Sequence, residues 1–348
     1  MGTPSSSFSD RAFALAQPLT ASLELTYRCN WRCVFCYNPR HSDVRRLERD
    51  EWMTVLDDLR ELGTLTVTLT GGEALASPDF LSVAKAVRER AFALRVFTNG
   101  SLVDAETAKE IAALQPAAVE ISMHGATRDV HDRTTGLPGS FDAMLSGLTR
   151  LRDEGVRVLL KTPVTNLNEH QIDQMLDLAA SLGVKYRMDA TITPRDDGDR
   201  GPLVYTASRD AMRRVAEIGL ESNTLGFIER PEKAANCGLG RITMAVDPEG
   251  NVFPCIQWRH TSLGNVREIR LRELWRTSQV RRDAATVADD ANGRMRTMEP
   301  PYSIYSYCPA LAAEATGDPL NPDPAFLTRA EIAWEVAEER RRKERASA

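Results

Sequence analysis

The chain has 348 residues, of which 42% are hydrophobic and 27% charged, the proportions of an ordinary globular protein long enough to bury a large core. Its net charge is only −5 with both signs interspersed, which argues against nucleic acid or a membrane surface as partner. The first twenty residues lack a basic region followed by a hydrophobic run, and no apolar stretch approaches the ~20 residues of a membrane span, so the expected location is the cytoplasm, where clustered cysteines are metal ligands or catalysts rather than disulfides.

From residue 21 to 192 short β-branched runs alternate with stretches of helical period, the pattern of βα units on a parallel sheet. The expected strands are 22–27, 65–70, 94–99, 118–123, 157–164 and 184–192. Helices are expected at 48–62, 78–90, 104–114, 140–155 and 169–182, with Asp104 and Asn168 as caps. A closed eight-stranded barrel takes about 250 residues, so six units in roughly 170 residues predict a partial (β/α)6 TIM-like barrel, open along one side. The Asp/Gly/Pro-rich stretch 193–202 reads as a loop at the barrel edge, followed by a helix at 208–221. Beyond it two strand-like runs flank an Asp-Pro-Glu-Gly turn at 247–250, the core of a small C-terminal α+β domain. The charged helix at 328–345 reads as a solvated surface element. The resulting division is an N-terminal extension 1–20, a barrel 21–200, a linker helix region 201–234, an auxiliary domain 235–312 and a helical tail 313–348.

Chemistry concentrates just past the first strand, at the end of a barrel where βα loops carry function. Cys29, Cys33 and Cys36 fall within eight positions of a chain that owns six cysteines. Zinc would ask for four ligands, or three and a water, usually with a histidine nearby; His41 is the nearest, beyond Pro39. Three thiolates suit a cubane [4Fe–4S] cluster better, each holding one iron and leaving the fourth for a ligand that is not protein.

The motif Cys29-x3-Cys33-x2-Cys36 with Tyr37 after it resembles the cluster-binding loop of the radical S-adenosylmethionine (SAM) superfamily. The resemblance extends to Gly71-Gly72-Glu73 after the second strand, where this family receives the amino group of SAM: glycines permit close approach, and a carbonyl or carboxylate can accept from an ammonium. Polar residues at the following strand ends line the SAM ribose and carboxylate in the family, which here points to Ser122 first, then Asn99, Lys161 and Asn166. Each also has an ordinary reading: Asn99-Gly100 as a turn, Ser122 as a strand-end hydroxyl, Lys161 as a solvated charge. The segment 130–142 is similar to the family's fourth βα loop, without a partner assigned to His131 or Arg133.

Cys237, Gly250 and Cys255 around the expected hairpin resemble the start of the auxiliary domain called SPASM, or its shorter relative called twitch. Cys308 is the one cysteine left, and Leu311 stands where the family pattern would continue, so the resemblance implies one auxiliary [4Fe–4S] cluster and not two. Buried free cysteines are the alternative. The family implies reductive cleavage of SAM to a 5′-deoxyadenosyl radical that abstracts hydrogen from substrate, with a flavodoxin- or ferredoxin-like electron donor. It also implies a peptide substrate, modified by crosslinking, thioether formation, epimerisation or oxidation, or else a small molecule that is dehydrogenated or rearranged. A non-catalytic metal or redox module is the reading from another class. About 20 residues before the first strand are too few for a fused winged-helix peptide-recognition domain, so a leader would need a separate binding protein or another surface.

Overall fold

The computed structural model of the protein describes residues 4–43, 45–222, 237–298 and 307–347. The expected linker beyond residue 222, and residues 235–236 and 299–306 of the expected auxiliary domain, lie outside the described residues.

Six parallel strands form the body: β1 (Thr20–Glu24), β2 (Thr66–Thr70), β3 (Ala93–Thr98), β4 (Ala118–Ser122), β5 (Val158–Pro163) and β6 (Lys185–Asp189). They lie side by side in chain order, and β6 pairs only with β5 and not with β1. The result is the partial (β/α)6 barrel, open at β6. Helices α1 (Pro4–Ala14), α2 (Arg49–Glu61), α3 (Phe80–Glu89), α4 (Ala105–Ala113), α5 (Arg128–Thr135), α6 (Ser140–Asp153) and α7 (Ile172–Ser181) precede or connect these strands. One strand face is apolar because it meets them: Val67, Leu69, Leu94, Val96, Val119, Ile121 and Leu160 are fully buried with Leu56, Val83, Ile111 and Leu148 of the helices.

Among the helices of the barrel, α1 and α5 were not expected from the sequence, and α5 overlaps the segment 130–142 read as a loop. Asp104 caps α4 as expected, accepting from Thr107 N at 2.8 Å. Asn168 does stand at the N-cap position of the 3₁₀ turn Glu169–Gln171 that leads into α7, but its side chain does not cap it. Its side chain is buried, accepts from Thr165 N at 2.7 Å and donates to the carbonyls of Pro163 and His124, tying the ends of β5 and β4 together.

After α8 (Arg209–Ser222) the chain returns as β7 (Thr243–Val246), which pairs in parallel with the free edge of β1, Thr20 opposite Thr243. Strands β8 (Asn251–Phe253) and β9 (Gly264–Asn265) continue antiparallel, giving one nine-stranded sheet. Asp247 makes the hairpin turn by accepting from Glu249 N and Asn251 N. Helices α9 (Leu271–Thr277), α10 (Gln279–Thr297), α11 (Pro309–Thr316) and α12 (Pro324–Ser347) complete the C-terminal α+β part. The last helix corrects an expectation. It is not merely a solvated surface element: Phe326, Ala330, Ile332, Ala333 and Val336 are buried, and Glu331, Glu335 and Glu339 pair with Arg209 and Arg213 of α8. No helix among the described residues is long and apolar enough to cross a membrane.

Candidate functional site

The loop carrying Cys29, Cys33 and Cys36 leaves the C-terminal end of β1 and is held by backbone from three sides. Arg32 N and Val34 N donate to Thr135 O and Thr134 O at the end of α5, at 2.8 and 3.0 Å. Gly72 N and Glu73 N donate to Thr26 O and Arg28 O, both at 2.8 Å. Asp43 accepts from Tyr27 N at 2.6 Å and from the Thr26 hydroxyl. Beneath the loop Trp31 packs edge-on against His131 and His124, centroids 5.3 and 6.0 Å away. His131 Nδ1 accepts from His124 N, which puts its proton on Nε2, and burial lowers its pKa to about 4. The loop therefore rests on an uncharged aromatic floor.

The glycines of the Gly71-Gly72-Glu73 segment serve this same loop. Gly71 sits at φ +131°, and a Cβ there would lie 2.4 Å from Thr26 O; one on Gly72 would lie 2.5 Å from the carbonyls of Tyr27 and Arg28. Glu73 is buried, and both carboxylate oxygens are taken: Oε1 accepts from Leu75 N and the Thr98 hydroxyl, Oε2 from Asn99 N at 2.7 Å. Burial raises its pKa against those hydrogen bonds. The glycines thus approach the cysteine loop, and the glutamate fastens β2 to β3.

Of the remaining sequence-expected residues, Asn99 is buried and donates to Asn30 Oδ1 at 2.8 Å, while Asn30 donates to Ser101 Oγ, so the end of β3 is tied to the residue after Cys29. Ser122 closes β4, opposite Lys161 on β5. Lys161 Nζ lies 3.2 Å from the Phe97 ring centroid and 3.9 Å from Glu120. Asn166 is exposed and donates to Val204 O at 2.8 Å. Tyr37 is partly buried, its carbonyl accepting from Asp196 N at 2.9 Å.

All six cysteines are free thiols. Burial, then the charges of Cys36 and Cys29, push Cys33 well above the usual thiol range. Burial chiefly pushes Cys29 up to about 11, and the fields of Glu73 and then Cys36 add to it. The second set converges in the same way although Cys237 and Cys308 are far apart in sequence. Cys237 and Cys255 pack with Trp258 against Leu239, Ala284 and Ala288. Cys308 caps α11 and is pushed up to about 12, by burial first and then by Cys255 and Cys237. Such thiols become stable thiolates only on a metal. Three thiolates fall one short of the four ligands of a structural zinc site, whereas a cubane takes each thiolate on a different iron. The donor chemistry of both sets fits a [4Fe–4S] cluster.

Between the two sets lies a tie that sequence reading missed. Glu24 of β1 pairs with Arg259, four residues after Cys255, at 2.5 Å, with side chains only 3% and 8% exposed. No local signal marks two residues 235 positions apart. Asn30, Asp43 and Trp31 were also missed; for Asn30 and Trp31 their place inside the cysteine motif was the available signal.

Comparison with known proteins places residues 23–179 in the radical SAM superfamily and residues 237–308 in the SPASM iron-sulfur cluster-binding domain. The chain is 27% identical over 345 residues to an AdoMet-dependent heme synthase of Methanosarcina barkeri, covering 90% of this chain and 97% of that one. It is 26% identical over 325 residues to a PqqA peptide cyclase of Ruegeria pomeroyi, covering 88% and 86%. In fold it is similar to anSMEcpe with bound AdoMet and the Cp18Cys peptide, with a TM-score of 0.74, 15% identity, and 93% and 97% of the two chains covered.

Proposed function

For a chain that belongs to the radical SAM superfamily and carries a SPASM-type auxiliary iron–sulfur domain, we propose a peptide-modifying enzyme whose two cysteine sets hold two clusters, in a barrel spanning 21–200 and an auxiliary domain spanning 235–312. Cys29, Cys33 and Cys36 are the ligands of the SAM-binding [4Fe–4S] cluster, and Cys237, Cys255 and Cys308 those of the auxiliary one. When bound, the first cluster and SAM together supply a 5′-deoxyadenosyl radical for hydrogen abstraction. The observation that carries the reading is the placement of two sets of three partly buried free thiols, one on the loop at the C-terminal end of β1 and one around the hairpin that extends the same sheet.

The chain's own residues bind and orient. Gly71 and Gly72 let β2 close on the cysteine loop, Glu73 and Asn99 fix its height, and the Trp31–His131 floor excludes water from below. Ser122 and Lys161 offer a hydroxyl and a cation to the SAM carboxylate, with Tyr37 next to the cluster; Asn166, engaged with Val204 O, is the weakest of the family-derived contacts. A flavodoxin- or ferredoxin-like protein supplies the electron. Likeness to a PqqA peptide cyclase supports the peptide substrate. Likeness to a heme synthase over nearly its whole length favours a small-molecule substrate as second reading.

Anaerobic reconstitution tests the assignment: about eight irons per chain are expected, about four in Cys33→Ala and about four in Cys308→Ala. Incubation with SAM and dithionite yields 5′-deoxyadenosine from the parent and from Cys308→Ala but none from Cys33→Ala. Zinc without sulfide, or equal yield from Cys33→Ala, overturns it.

A further inference from the structure

The inner face of the open barrel carries more cations than one cofactor carboxylate needs. Strand alternation puts Arg95 and Phe97 of β3, Glu120 and Ser122 of β4, Lys161 of β5 and Arg187 of β6 on one face, because Leu94, Val96, Val119, Ile121, Leu160 and Met188 are buried on the other. Register sets Phe97 opposite Glu120, and Lys161 opposite both Ser122 and Arg187. Arg95 pairs with one oxygen of Glu120, and Lys161 stands 3.9 Å from the other. The carboxylate is buried at 2% exposure, whereas Arg95 and Lys161 keep 36% and 28%. Arg187 and Arg157, the residue before β5, are exposed and make no ion pair among the described residues. Lys185 and Asp189 of β6 share this face by the same alternation, so five cations, Arg95, Arg157, Lys161, Lys185 and Arg187, stand against two carboxylates, the buried Glu120 and the exposed Asp189. Burial and then the fields of Arg187 and Arg157 lower the Arg95 pKa; burial and then Arg95 and Arg187 lower that of Lys161 to about 7. The excess lies toward β6, the strand that leaves the barrel unclosed.

We propose that this cationic inner wall binds an acidic segment of the peptide substrate, its Asp or Glu carboxylates entering along the open side at β6 and pairing with Arg187, Arg157 and Arg95. The proposal rests on the peptide reading above. Carboxylate is the shared chemistry of two sources, the peptide and SAM itself, and one lysine beside Ser122 already meets the latter. Because the chain as a whole is acidic, with a net charge of −5, an anionic peptide is not drawn to its surface at large.

The test uses reconstituted enzyme with SAM and two fluorescein-labelled probes, hexaglutamate and hexaglutamine, followed by anisotropy. Hexaglutamate is expected to bind at least tenfold more tightly, with an advantage that shrinks as salt rises. Arg187→Glu and Arg157→Glu, both at exposed positions whose loss strands no buried partner, each remove most of that advantage while SAM affinity stays within twofold. Arg95→Gln is the less clean variant, since it leaves Glu120 buried without its partner. Equal binding of the two probes overturns the proposal, as does a charge-reversed enzyme that still prefers hexaglutamate. A charge reversal that weakens SAM instead assigns the wall to the cofactor and overturns it too. N-acetylglutamate competing as well as the hexapeptide overturns the peptide assignment. Formation of 5′-deoxyadenosine without any peptide reports on the radical reading separately, so its failure is not confused with these.

Discussion

Glu73 shows how little a motif says about what its side chain does. In sequence it offered a carboxylate to a ligand ammonium; in the fold three donors of its own chain occupy it. Glu73→Gln keeps the shape but turns an amide N–H₂ toward Asn99 N–H, leaving a buried donor unpaired, at a cost of about 1–3 kcal/mol. Urea unfolding of the variant should therefore show a lower midpoint with an unchanged slope, and an unchanged midpoint would mean that the carboxylate is not engaged as described. The first three cysteines were legible because three thiols within eight positions are the spacing of a metal or cluster loop. The partners of Glu73 and Asn99 were not, because a hydrogen bond between strand ends depends on which strands become neighbours, and nothing local in the sequence records that.

At the scale of elements, strands β1 to β6 were legible to within a few residues because each has an apolar face that must meet helices. Helix α12 was misjudged for the converse reason: its charges dominate the pattern, while its buried stripe mixes three alanines with Phe326, Ile332 and Val336. The pair Glu24–Arg259 joins β1 to the loop after Cys255. Arg259→Met would leave Glu24 buried without its counter-charge, at a cost of about 3–5 kcal/mol, and denaturant unfolding should register that loss. Glu24→Gln with Arg259→Met should recover much of it, and a double variant as unstable as the single one would deny the coupling. On β5, Lys161 titrates near 7 rather than at its ordinary 10.5. Between those values the unfolded chain holds a proton that the folded one lacks, so stability rises with pH across the window. Lys161→Met should flatten that rise in SAM-free enzyme, and a slope identical to the parent's would place the lysine in water.

On the scale of the whole molecule, one sheet runs through both parts that bear cysteines. The parallel pairing of β1 with β7 sets a strand at residue 20 against one at residue 243, and β1 has β2 alone on its other side. During synthesis, at ~5–20 residues per second, β1 emerges more than two hundred residues before the strand that covers its outer edge. For about ten seconds or more the nascent barrel presents a row of unpaired backbone donors and acceptors next to the segment that carries Cys29, Cys33 and Cys36. Completion of the edge therefore waits on the late-made hairpin, and a ribosome halted before residue 243 would hold a chain prone to pair with its neighbours on the same message.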